Sequence, residues 1–144
     1  MPDLGRRPRA AIPHRPKEDF RPWQPVHVTV RMAPRVWNLR SQRSFAIVDR
    51  AMAGVRRRTD FRVVHFTVLG NHLHAIVEAG GARALATGMR ALSIRLARGL
   101  NAMMGRNGPV LEDRYDAHVL KTPAEVRNAV RSHDPTHLAA LIPV

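Results

Sequence analysis

The stretch Phe66-Thr67-Val68-Leu69-Gly70-Asn71-His72-Leu73-His74-Ala75-Ile76-Val77-Glu78 reads as strand, two-residue turn, strand. Residues 62–69 are β-branched and alternating, Gly70-Asn71 supplies a tight turn, and the arm from His72 to Ala79 ends at Gly80-Gly81. Side chains on a strand alternate faces, so His72, His74 and Ile76 share one face and Leu73, Ala75 and Val77 the other. Two residues of rise put the imidazoles about 6–7 Å apart. That spacing suits two nitrogen ligands on one divalent cation, with the hydrophobes anchoring the strand from behind.

Working outward, Val26 to Met32 alternates as well: Val26, Val28, Val30 and Met32 fall on one face, His27, Thr29 and Arg31 on the other. Ser41 to Arg58 has helical spacing, with Phe45, Val48, Met52 and Val55 as its apolar stripe. Ser41 caps it, and Arg56, Arg57 and Arg58 suit the negative end of its dipole. Ala82 to Met104 predicts the longest helix, with Leu85, Met89, Leu92, Leu96, Leu100 and Met103 inside and Arg83, Arg90 and Arg98 on wetter faces. Ala117 to Lys121 reads as a fourth strand. Thr122-Pro123-Ala124-Glu125 is a capping box with proline at the first helical position, opening a helix to about Arg131. The order β-α-β-β-α-β-α predicts an α+β fold of the ferredoxin-like, split βαβ plan. It is a four-stranded antiparallel sheet with helices on one face and the histidines on the open one. No internal repeat is present.

The chain has 144 residues, of which 44% are hydrophobic, enough for one domain with a core. Its formal net charge is +13, nearly all from arginine. A GC-rich coding bias produces such a balance, and so does a polyanionic partner, most simply nucleic acid, whose phosphates the guanidinium fork binds in pairs. The absence of cysteine excludes disulfides, zinc knuckles and thiol nucleophiles. No run reaches the roughly 18–20 apolar residues of a membrane span, so a cytoplasmic protein without a membrane partner is expected. Residues 1–25, rich in proline and arginine, read as a disordered basic arm; 26–131 form the domain, and 132–144 an atypical tail.

Each chemical feature has a plainer counterpart. A His-x-His pair on a strand is also what hydrogen-bonded surface histidines look like, and two imidazoles need a third ligand, from Glu78 or from the last helix. His65 reads as a hydrogen-bonded histidine within its strand. Tyr115, the only tyrosine, is either a nucleophile toward phosphorus or a packing aromatic. Ser93 and Ser132 read as ordinary helix residues. Glu112, Asp113, Asp116 and Glu125 gather near strand four, as magnesium carboxylates or as caps and surface.

Residues 66–78 resemble the strand-turn-strand of the single-tyrosine insertion-sequence transposases, specifically their REP-associated relatives, which carry His-hydrophobe-His in an Asn-His-hydrophobe-His context. The stretch Gly108-Pro-Val-Leu-Glu-Asp-Arg114-Tyr115-Asp-Ala-His-Val-Leu-Lys-Thr122-Pro-Ala-Glu125-Val-Arg-Asn-Ala-Val130 also resembles theirs, in the same order. The resemblance covers roughly Pro25 to Arg131. It implies the His-hydrophobe-His nuclease fold, with His72 and His74 binding Mg2+ or Mn2+ against the scissile phosphate of single-stranded or hairpin DNA. It also implies a tyrosine on the last helix that forms a 5′-phosphotyrosine, in a monomer or homodimer. Arg31, Arg83, Arg90 and Arg114 are the arginines expected on DNA.

The chain departs from that pattern at its end. Where the family tyrosine is expected stand Arg131-Ser132-His133, and no tyrosine follows Tyr115. The last dozen residues do not resemble the family's end, a departure that a truncation or frameshift would produce. His133 or His137, one helical turn apart, are the candidates for the third metal ligand. Three readings follow: a transposase-like enzyme using Tyr115, a non-catalytic module for single-stranded nucleic acid, and a degenerate remnant with a faulty last helix. Aromatic residues are only 5% of the chain and strands one and three expose none, which weighs against a base-stacking module.

Overall fold

The computed structural model describes residues 21–34, 36, 38–112 and 114–132. Most of the expected basic arm, Asp113, His133, His137 and the tail beyond Ser132 lie outside the described residues. The elements are β1 (Val26–Arg31), α1 (Gln42–Gly54), β2 (Phe61–Val68), β3 (His72–Ala79), α2 (Ala82–Met104), β4 (Asp116–Val119) and α3 (Pro123–Ser132). They form one four-stranded antiparallel sheet in the order β2-β3-β1-β4, which is the split βαβ plan read from the sequence.

One face of the sheet carries Val26, Val28 and Val30 of β1 and Leu73, Ala75 and Val77 of β3, all buried. Against it lie Leu85, Met89, Leu92, Leu96 and Leu100 of α2 and Val48, Ala51 and Met52 of α1. Each fully buried Val, Leu or Met side chain among these contributes about 1.5–3 kcal/mol. The approach of α2 to β2 is close: a Cβ at Gly88 would overlap the ring of Phe61, so this helical glycine is needed for contact.

The ends of the elements differ in part from the sequence reading. Ser41 caps α1 as expected, accepting from Ser44 N–H at 3.2 Å. The helix stops at Gly54, however, and Arg56, Arg57 and Arg58 are not its last turn. Arg56 N–H donates to Ala53 O (3.1 Å) and Arg58 N–H to Val55 O (3.2 Å), so the chain leaves through turns that reach back three residues. Glycine's low helix propensity outweighs the small dipole gain from the arginines. β4 begins one residue earlier than expected and ends at Val119, after which Leu120 N–H donates to Pro25 O at 2.9 Å. At α3, Glu125 N–H donates to Thr122 Oγ1 (3.1 Å), while Glu125 Oε1 accepts from Lys121 N–H (2.8 Å), one residue before the cap.

The β2–β3 turn is also built differently from a glycine-driven hairpin. Leu69 N–H donates to His72 O (2.8 Å), yet neither Gly70 nor Asn71 takes a positive φ. Instead the turn is tied from outside: Leu39 N–H donates to Gly70 O and Met32 N–H to Asn71 O, both at 2.9 Å.

β2 contains a bulge. Val63 pairs with Val77 and His65 with Ile76, which leaves Val64 without a partner and 54% exposed. Before the bulge Phe61 and Val63 face the helices; after it Phe66 and Val68 do. The inserted residue turns His65 and Thr67 to the opposite face. Strict alternation would have left both with Phe61 and Val63 in the core.

Candidate functional site

The second face of the sheet gathers polar residues from all four strands. The register gives two cross-strand rows. Asp116, Thr29, His74 and Thr67 form one; His118, His27, Ile76 and His65 form the next. His72 sits opposite Arg31, toward the hairpin turn. Five of the chain's eight histidines therefore share this face. Ile76 is buried between its register partners His27 and His65 and stands apart from the main core.

His72 and His74 meet edge to face, with ring centroids 4.8 Å apart. His27 stacks on His74 at 5.2 Å with the rings parallel to within 4°. Each histidine of the pair has its Nδ1 engaged: Asn71 Oδ1 accepts from His72 Nδ1 at 2.9 Å, and Thr29 Oγ1 is bonded to His74 Nδ1 at 3.2 Å. Such bonds select the tautomer and aim the ring, as partners of metal-bound histidines do. Burial, then His27, His72 and Arg31, lowers the pKa of His74 to about 4. Burial and Arg31 lower His72, burial and His118 lower His27, and burial alone lowers His65. The imidazoles are therefore neutral near pH 7, the form that donates to a metal.

Two further features mark the face. Thr67 is 1% exposed and its Oγ1 has no hydrogen-bond partner among the described residues, although it lies opposite His74. A cleft of about 560 Å³ opens beside His72, lined by Arg31, Asn71 and Glu112 among others.

Other residues singled out in the sequence are dispersed. Glu78 shares the face but lies four residues beyond His74, bound to Arg62 at 2.7 Å. Glu112 comes to the His72 cleft, whereas Asp116 and Glu125 do not line it. No three His, Asp or Glu side chains among the described residues converge to hold a cation. The donor chemistry of His72 and His74 fits two positions of a divalent cation and leaves the others to ligands beyond this set. The expected third ligand, His133 or His137, lies outside the described residues.

Tyr115 packs against the main core with Ala117, and alternation with Asp116 puts it on the helical side of the sheet, away from the histidines. Ser132 is the last residue of α3. Arg31 is beside His72, and Arg114 is exposed two residues past Glu112. Arg83 and Arg90 are exposed on α2, which packs on the opposite face. The sequence puts His27 and Thr29 on the polar face of β1, but alternation alone assigns neither to the site. Their period-two spacing with Arg31 was the available signal, but joining them to His74 requires the strand register.

No helix among the described residues is long and apolar enough to cross a membrane. No protein-family model and no curated protein matches the sequence. Solved structures are similar in fold. One is a REP-associated tyrosine transposase bound to a REP hairpin, 18% identical with a TM-score of 0.61, covering 81% of this chain and 69% of that one. Another is a candidate transposase from Deinococcus radiodurans R1, 12% identical with a TM-score of 0.57, covering 81% of this chain and 95% of that one. The ferredoxin-like sheet of this chain, with its two histidines on one strand, thus has the fold of these transposases.

Proposed function

We propose that this protein is a DNA-binding relative of the REP-associated tyrosine transposases. Its histidine face grips a phosphate of single-stranded or hairpin DNA with a divalent cation, Mg2+ or Mn2+, at His72 and His74. The observation that carries this reading is the His72–His74 pair, neutral and aimed through Nδ1 by Asn71 and Thr29. The solved neighbour bound to a REP hairpin supports the choice of DNA.

When bound, the cation supplies positive charge to a phosphate oxygen. The chain's own residues do the rest. His72 and His74 present nitrogen donors, Thr29 and Asn71 fix their orientation, and Arg31 adds a guanidinium beside His72 for a second phosphate contact. Arg114 extends the basic rim, while Arg83 and Arg90 reach only DNA that wraps to the helical layer. A phosphotyrosine step requires a phenol on the histidine face. Tyr115 packs on the other side, so we assign it to the core and the protein to binding without a covalent adduct through that residue.

The test is a labelled hairpin-bearing single-stranded DNA with Mn2+, read by gel shift and on a denaturing protein gel. Binding that weakens with chelator and in His72→Ala and His74→Ala, with no label on denatured protein, is the expected result. Absent binding, or binding indifferent to both variants, overturns the reading of the face. An adduct that disappears in Tyr115→Phe overturns the assignment of that tyrosine to packing.

A further inference from the structure

Trp23 is the one non-glycine residue with a positive φ among the described residues, at 65°. For a bulky aromatic this is a strained conformation. The surroundings hold it there. Trp23 N–H donates to Ala79 O at 2.6 Å, which pins the residue to the end of β3, and Gln24 N–H donates to Arg21 O at 3.1 Å. Gln24 Oε1 in turn accepts from Arg21 N–H (3.1 Å), closing the turn.

This fixed tryptophan remains 39% exposed. The Arg62 guanidinium lies over its ring at 4.9 Å from the centroid. Glu78 Oε1 holds that guanidinium from both Nε (2.8 Å) and Nη2 (2.7 Å). Glu78 is on the same face of β3 as His72 and His74, and Arg62 is its register partner. The aromatic and the arginine therefore stand at the far end of the histidine face, about 13 Å along β3 from His74. A rigid, exposed ring with a planar cation, at one end of a site for phosphates, is the recurring arrangement for stacking an unpaired base.

We propose that Trp23, positioned by Arg62 and Glu78, is a stacking subsite for an unpaired nucleobase of the strand whose phosphate lies at the His pair. The inference rests on the reading of the histidine face as a single-strand DNA site. The subsite takes any base, because stacking uses the π-face rather than the hydrogen-bonding edge. It receives the single-stranded extension, not the paired stem.

The experiment compares wild-type protein, Trp23→Ala and Trp23→Phe on two Mn2+-containing probes, a hairpin with a short single-stranded extension and the same hairpin with abasic residues in the extension. Trp23→Ala is expected to bind the first probe about 10-fold more weakly, with Trp23→Phe close to wild type. Wild-type protein should lose a similar factor on the abasic probe, where Trp23→Ala should lose nothing further. Equal wild-type affinity for the two probes overturns the subsite whatever the variants do, and leaves the histidine-face reading intact. Failure of wild-type protein to bind either probe overturns both.

Discussion

The two faces of this sheet are made by the same strands, residue by alternate residue, and obey different rules. On the helical face every inward position of β1 and β3 is an aliphatic side chain packed to near-zero exposure. On the other face the corresponding positions are histidine, threonine and arginine with Ile76 and Glu78, and on β2 the hydroxyl of Thr67 is buried without a hydrogen-bond partner among the described residues. A core face is selected for volume and hydrophobic area. Retaining a buried, unpaired polar atom has an energetic cost that packing alone does not explain. The contrast separates a face built for packing from one that carries polar groups packing does not account for.

That division is strongest if substitutions on the two sides act on different observables. Leu96→Ala, on the helical side, should lower stability by about 2–5 kcal/mol, measured by denaturant unfolding. His74→Ala, on the other side, should leave the unfolding midpoint nearly unchanged while weakening Mn2+ binding more than 100-fold by calorimetry, an effect beyond that of losing an outer-shell partner. A large stability loss in His74→Ala, or retained Mn2+ affinity, would break the comparison.

Thr29→Val sharpens it. The substitution preserves shape and removes the hydroxyl that holds His74 Nδ1. Mn2+ affinity should fall by about 10–100-fold, the scale of an outer-shell loss.

The smallest effect is on pH dependence. His74 has a folded pKa of about 4, below the ordinary histidine value of 6.5, with burial as the main cause. Between those values the unfolded chain binds more protons than the folded one, so stability rises with pH and is complete above about 6.5. As pH falls through the window toward 4, His74 should withdraw about 1 kcal/mol, after allowance for its partial contact with solvent. His74→Ala should flatten that part of the profile; an unchanged slope would place the pH response in other groups.

The helical face was the legible one. β3 and α2 begin and end where alternation and three-four spacing placed them, because each pattern is long, unbroken and bounded by glycine. Misread features were decided by competition or by register. Gly54 ended α1 against a charge argument that favoured Arg56, Arg57 and Arg58 as its last turn. The bulge at Val64 moved His65 and Thr67 across the sheet, which no local pattern in β2 announces. Of the candidate site, His72 and His74 were visible as a period-two pair. His27 and Thr29 were not, since their role depends on β1 lying beside β3 in one register. Trp23 escaped because an exposed aromatic before a strand carries no periodicity, and its significance lies in a backbone angle.

The extra residue at Val64 makes β2 a strand with a phase change written into it. Point substitutions there leave the phase intact. Deleting Val64 would remove the bulge and let β2 pair as a regular strand, with His65 and Thr67 still on the histidine face and Phe66 and Val68 still toward the helices; a further residue inserted after Val64 would instead drive His65 and Thr67 inward and Phe66 and Val68 outward, or force the hairpin to slip by one place. A library built by lengthening β2 should lose function where the single deletion of Val64 does not.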